Sequence, residues 1–327
     1  MEWPWIVICI VVLGLLFDYT NGFHDAANVV STVIATRALA PIAAIILAGV
    51  LNTIGALHAS GVAQTIATGL VKEAAATQTL VISALVGAII WNFATWYFGM
   101  PSSSSYALIG GLIGASLVKG GPTIIIWQGL LLKVLIPMIV SPFLGFGMAY
   151  LLMKGVLRWG GSRNKDRIYR HLQVASSGLV ALSHGMNDAQ KSMGIITLGL
   201  LASGLISTSQ IPLWVILACA LTIGIGTASG GFRIIRVMGF KLTKLTPPQG
   251  FAAEMSSSII ILIASFLGMP ISSSQMITGS ISGAGAAKSV HAVQWRLGKW
   301  IAVTWLLTLP GSAIISSLFY LSIKSFF

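Results

Sequence analysis

Apolar runs long enough to cross a bilayer alternate with short polar interruptions along nearly the whole chain. The first run extends from about Pro4 to Ala38 and is interrupted by the polar string DYTNGFHD. A second helix is expected over roughly 40–60. A more neutral connection at 61–78 then precedes an apolar segment at 79–98, a Pro-Ser break and a short helix to about 118. Another helix closes this half near 137–153. The same order recurs: 172–205, interrupted by SHGMND, then 211–231, a connection at 232–250, an apolar arm at 251–267, a second break, an arm to 287 and a last helix at 298–323. The polar strings inside the two long runs predict a broken helix in each half, with the first break at Asn21-Gly22.

Two pairs of motifs support a duplication. GMPSSSSYALIGGLIGAS (99–116) and GMPISSSQMITGSISGAG (268–285) agree at nine of 18 positions, offset by 169. GFHDAAN (22–28) and GMNDAQK (185–191) share only Gly, Asp and Ala, but they recur in the same order at an offset of 163.

Composition makes the bilayer the solvent. Hydrophobic residues fill 56% of 327 positions and charged ones 8%, with mean hydropathy +0.91; a soluble domain carries about 25% charged residues. Helices are then the compatible spanning element, and 36 glycines suit close helix packing in lipid. The net charge of +12 does not indicate nucleic acid, because the cations cluster. Of 19 Lys and Arg, six lie in 154–171, four in 232–244 and three in 288–299, as expected of short cytoplasmic loops. Cys9 and Cys219 lie in apolar runs without metal-type spacing. The N-terminus has no basic lead-in and reads as a retained first helix. Trp3, Trp5, Trp159, Trp295 and Trp300 read as interface anchors.

Charge also orients the serine segments. If 251–287 forms a re-entrant hairpin, the basic stretches on either side of it stay on one face and the serines reach mid-membrane. Each half then makes three crossings plus one hairpin, so the second half is inverted. This arrangement puts 14 Lys and Arg inside, Arg37 among them, and Lys72, Lys119 and Lys324 outside; Lys133 and Lys191 fall within segments. The expectation is an all-α polytopic membrane protein of two inverted-topology repeats, 1–153 and 172–327, each with a broken helix and a re-entrant helical hairpin. A basic cytoplasmic loop, 154–171, joins them, and both termini lie outside. Such repeats, with broken helices meeting at the midplane, are typical of secondary transporters.

The chemistry gathers at the breaks. Pro101 and Pro270 donate no backbone hydrogen bond and serine is a preferred N-cap, so each break starts a half-helix with free N–H groups. Two such ends, entering from opposite leaflets, would cradle a small tetrahedral oxyanion. Four of the seven acids, Asp18, Asp25, Asp188 and Glu254, lie in apolar surroundings, where a carboxylate is expensive. Asp25 and Asn28 share a helix face, and Asp188 and Lys191 stand at the matching positions. Carboxylates repel an anion unless a cation intervenes, which suits symport with Na⁺, H⁺ or a divalent metal. A fixed ammonium at Lys191 takes the space and charge of a bound Na⁺ and favours H⁺. Asp25, Asp188 and a neighbouring His24 or His184 are candidates to titrate, and Asn187 and Gln190 are grouped with them as ion-coupling residues. The bland alternatives are structural pairing of the acids with Lys191 or a histidine, a capping role for Asp18, and a helix- or dimer-facing role for Glu254. No zinc-type spacing or nucleophile–base pair suggests an enzyme, and a passive channel would transport without accumulation.

NGFHDAANVVSTVIATRAL, SHGMNDAQKSMGIITLGL, PPQGFAAEMSSSIII and the paired GMPxSSS breaks together resemble the inorganic phosphate transporter (Pit) family over the whole chain. The chain is most similar to its bacterial low-affinity, proton-coupled branch. The resemblance implies a homodimeric, multi-pass plasma-membrane symporter for phosphate, free or as a metal complex, with no resident cofactor. It assigns phosphate binding to Ser103, Ser104, Ser105, Ser272, Ser273, Ser274 and Asn28, and ion coupling to Asp25 and Asp188. Lys191 replaces the asparagine of Na⁺-coupled members. Tyr106 and Gln275 replace a common histidine, which leaves sulfate or another oxyanion open as the cargo.

Overall fold

A computed structural model describes residues 4–58, 60–159 and 165–324. The described residues are helical, with two isolated β-bridges and no strand. In order, the first half contains α1 (Pro4–Ala35), α2 (Pro41–Ala56), α3 (Gly61–Thr68), α4 (Gln78–Tyr97) and α5 (Ser104–Gly120). A short α6 (Trp127–Gly129) then runs through a π-helical stretch, Leu130–Leu135, into α7 (Ile136–Trp159). The second half contains α8 (Lys165–Ala202), α9 (Leu213–Ser229), α10 (Phe232–Arg236), α11 (Pro247–Phe266), α12 (Ser273–Lys288) and α13 (Trp295–Ile323). Six described helices are long and apolar enough to span a membrane, or eight if each of two bent pairs counts as one span.

The two halves agree in small details. One antiparallel bridge, Val71↔Ile125, ties the connection after α3 to the residues after α5, and Thr243↔Val293 does the same in the second half. Both connections carry short helices: α3 in 61–78, and α10 with the π-helical Val237–Lys241 in 232–250. The stretch 154–171 is helical except at 160–164, which lie outside the described residues, as do Trp3 and the side chain of Trp159.

The breaks expected inside the two long runs are absent: α1 passes through Asn21-Gly22, and α8 through SHGMND, without interruption. The motif glycines serve helix contact instead. A Cβ on Gly22 would lie 2.6 Å from the Ile223 carbonyl oxygen of α9, and one on Gly185 would overlap the backbone of Asn52 in α2. Small residues there let α1 cross α9 and α8 cross α2 at backbone distance. Several of the polar side chains find partners on neighbouring elements, Asp18 on Ser192, Tyr19 on Ser229, His184 on Asn52 and Asn187 on Ser265, while Thr20 and Ser183 donate to carbonyls of their own helices. The bends occur between α2 and α3, and between α9 and α10, where Gly230 (φ 71°) turns the chain by 56°.

Each Pro-Ser break is a genuine helical hairpin. Gly99 (φ 65°) and Gly268 (φ 68°) end α4 and α11 in the left-handed region, which glycine enters without steric cost. In both turns the amide three residues past the helix closes back, Met100 N–H to Thr95 O and Met269 N–H to Ala264 O, each 2.8 Å. The next helices are capped alike: Ser103 Oγ accepts from Tyr106 N–H (3.2 Å) and Ser272 Oγ from Gln275 N–H (3.4 Å). Two apolar clusters flank a polar belt. One joins Ile6, Ile10 and Phe17 of α1 to Leu108, Ile109 and Leu112 of α5. The other joins Val29, Val30 and Val33 of α1 to Ile277, Ile281 and Ala284 of α12. The hairpins therefore lie along opposite halves of α1, and their turns meet where α1 is polar.

Candidate functional site

At that meeting point the first turns of α5 and α12 face the middles of α1 and α8. Every serine from 103 to 105 and from 272 to 274 is buried, as are Asn28, Asp25, Asp188, Lys191, His24 and His184, none more than 3% exposed. Asp25 joins the two hairpins: Ser274 Oγ donates to Oδ1 (2.9 Å) and Ser104 Oγ to Oδ2 (3.4 Å). Asn28 Nδ2 donates to Ser274 Oγ (2.9 Å) and Ser273 Oγ (3.5 Å). On α8, Ser273 Oγ donates to Asp188 Oδ2 (3.1 Å). Lys191 Nζ donates to Asp188 Oδ1 (2.7 Å), to the Ile271 carbonyl (2.9 Å) and to Ser105 Oγ. Ser105 Oγ also donates to Ile271 O (3.1 Å), so one carbonyl stitches the turns together.

The histidines buttress the acids. His24 Nδ1 lies 3.0 Å from Asp25 Oδ1, and its Nε2 lies 3.2 Å from Ser102 Oγ and 3.3 Å from Thr95 Oγ1. His184 Nε2 lies 3.4 Å from Asp188 Oδ2 and its Nδ1 3.2 Å from Asn52 Oδ1. One ligand atom each from Asp25, His184 and Asp188 falls within 4.8 Å of the others, a spacing that suits a shared cation. The site thus combines two helix N-termini, a ring of hydroxyls, one ammonium and two carboxylates. It can bind an oxyanion on its donors and hold protons or a cation on its acids.

Two residues grouped with ion coupling face elsewhere. Gln190 Oε1 accepts from Val62 N–H (2.8 Å) and Ala63 N–H (3.2 Å), capping the start of α3. Asn187 Nδ2 donates to Ser265 Oγ (2.9 Å) and Met269 O (3.3 Å), so it braces the second hairpin turn. Glu254 is fully buried and lies in its own network, where Thr32 Oγ1, Ser176 Oγ and Gln173 Nε2 donate to its carboxylate. Asp18 does not cap a break; it accepts from Ser192 Oγ (2.6 Å) between α1 and α8. Sequence reasoning missed Ser102, Thr95, Asn52 and the Ile271 carbonyl. Ser102 and Ile271 occupy the same place in the two turns but differ in type, so the internal comparison skipped both.

A family profile described as "Phosphate transporter family" matches residues 21–166 and 158–316. A relative from Rhizobium meliloti (strain 1021), named "Probable low-affinity inorganic phosphate transporter", is 44% identical over 321 residues, covering 96% of both chains. A Bacillus subtilis (strain 168) protein of the same name is 38% identical over 328 residues, covering 98% of each. Among solved structures, one named "The sodium-dependent phosphate transporter" matches 98% of this chain and 100% of its own, with TM-score 0.90 and 24% identity, a likeness of fold. These relatives are transporters, not enzymes, and the apolar helices make the chain a multi-pass membrane protein. From the profile match and the near-full-length relatives, the chain belongs to the phosphate transporter family.

Proposed function

We propose that the chain is a secondary active symporter that imports inorganic phosphate, free or as a metal complex, together with H⁺. The observation that carries the reading is Lys191: its ammonium lies among the hairpin donors and pairs with Asp188, at the position where the first repeat has Asn28. Asp25, Asp188 and Lys191 sum to one formal negative charge. A phosphate monoanion raises that to two, and like charges about 4 Å apart repel by about 4 kcal/mol at an effective dielectric constant of 20. Protons taken up on the Asp25–His24 and Asp188–His184 pairs remove that repulsion, so anion and protons enter together. Ser103, Ser104, Ser105, Ser272, Ser273, Ser274 and Asn28 serve as the anion's donors.

The repeats are read as inverted, with both hairpins re-entrant, which is supported by their packing on opposite halves of α1. The basic end of the bundle is read as cytoplasmic and both termini as outside. A homodimer rests on the family resemblance and is tested by cross-linking in membranes. Na⁺ coupling is the second reading, favoured by the spacing of Asp25, His184 and Asp188. Phosphate uptake into proteoliposomes, with pH, Na⁺ and Mg²⁺ gradients varied separately, decides: full uptake driven by Na⁺ without a pH gradient refutes proton coupling. Competition by sulfate tests the anion in the same assay.

A further inference from the structure

We propose that the groove around α10 is a binding site for an anionic phospholipid, which braces the first hairpin turn from outside the transport site. A cavity of about 480 Å³ is lined by Tyr97, Phe98 and Gly99 of that turn together with Arg233, Arg236 and Lys241. Arg236 and Phe232 also line a second cavity of about 500 Å³, whose other walls, Ile34, Pro41, Ile235 and Phe240, are apolar. Lys241 borders a third, of about 440 Å³, with Arg296 and Trp300. Among the described residues, no carboxylate lies within ion-pair distance of Arg233, Arg236 or Lys241.

Cations at the rim of an apolar groove, with half-exposed Phe240 and Trp300 beside them, match a molecule with a phosphate head and a hydrocarbon tail. Free phosphate would use the cations and leave the apolar groove without a role. The site reaches the transporter through Arg233. Its guanidinium lies over the rings of Trp96 (5.2 Å) and Tyr97 (5.1 Å) and donates to the Tyr97 carbonyl at the end of α4. At the corresponding place in the second half, Thr65 of α3 donates directly to Gly268 O (2.7 Å), so that turn is held by protein alone. The first turn is held by α10, and the lipid headgroup fixes α10 by neutralising Arg236 and Lys241.

The test is native mass spectrometry of purified full-length protein exchanged with phosphatidylglycerol or phosphatidylcholine, with and without inorganic phosphate. Wild type should retain phosphatidylglycerol selectively. At about five-fold per charge removed, R236Q/K241Q should weaken that retention roughly 30-fold, and the charge-preserving R236K/K241R should restore it. Uptake by wild type should also rise when phosphatidylglycerol is added to phosphatidylcholine vesicles, and that of R236Q/K241Q should not. Equal retention by wild type and R236Q/K241Q, or displacement of the lipid by millimolar inorganic phosphate, overturns the proposal. Restoration by R236K/K241R shows that the arginine and lysine charges, and not a folding defect, set the result. The readout is lipid binding, so it stands or falls independently of the coupling ion.

Discussion

Replacing Lys191 with asparagine gives the second motif the amide that the first has at Asn28, and it removes the only ammonium in the described site. Lys191 Nζ lies 2.7 Å from Asp188 Oδ1 and 2.9 Å from Ile271 O, and both side chains are essentially fully buried. In K191N, Asp188 keeps Ser273 at 3.1 Å and His184 at 3.4 Å but loses its ion-pair partner. Breaking a buried pair on one side costs about 3–5 kcal/mol, equivalent to a change of about 10² to several 10³-fold. An extra proton or an alkali cation on Asp188 is the available compensation. Uptake driven by a pH gradient alone, in Na⁺-free proteoliposomes, should therefore fall at least about 100-fold, and added Na⁺ should restore part of it. Lys191→Met, which offers no oxygen ligand, should not respond to Na⁺. The double variant D188N/K191N should lose less than the two single losses combined, because the charges are removed together. Wild-type uptake by K191N without Na⁺, in protein that elutes as a single folded species, would refute the assigned role.

Ser104→Ala and Ser273→Ala each remove a hydroxyl that donates to a buried site carboxylate, so phosphate KM should rise and the unfolding temperature in detergent should fall, by the equivalent of about 1–3 kcal/mol. Ser103→Ala and Ser272→Ala remove the two equivalent caps. They should each lower stability by about 1 kcal/mol, and a clear inequality between them would contradict the matched turn geometry. Glu254→Gln turns an amide N–H₂ toward hydroxyls and an amide that now donate to a carboxylate. Leaving one such buried group unpaired costs about 1–3 kcal/mol, so thermal unfolding should shift downward; no shift would show that the network does not need the carboxylate. Gly22→Ala puts a Cβ 2.6 Å from Ile223 O, and overpacking of this kind costs about 1–3 kcal/mol. Its effect should appear as a lowered melting temperature, and a stable G22A would mean that α1 and α9 can part.

Much of the architecture follows from local chemistry and was legible without coordinates. Apolar runs among few charges demand membrane helices. A Gly-Met-Pro-Ser stretch both ends one helix and caps the next, because glycine takes the left-handed turn, proline donates no hydrogen bond and serine accepts one. The recurrence of that stretch, together with Asp25 and Asp188, pointed to residues that the fold brings together. Polarity inside an apolar run was a poorer guide. Asn21-Gly22 and SHGMND read as breaks, yet the helices continue: Gly22 and Gly185 lie against the backbones of neighbouring helices, and His184 and Asn187 bond to other elements. Only the tertiary structure decided that Gln190 caps α3, that Asn187 braces a turn and that the Ile271 carbonyl serves Lys191. Those partners lie on other elements, roughly 80 to 130 residues away in sequence. The sequence specifies which groups must be buried as donors and acceptors; their partners are set by the packing of α1 and α8 between the two hairpins.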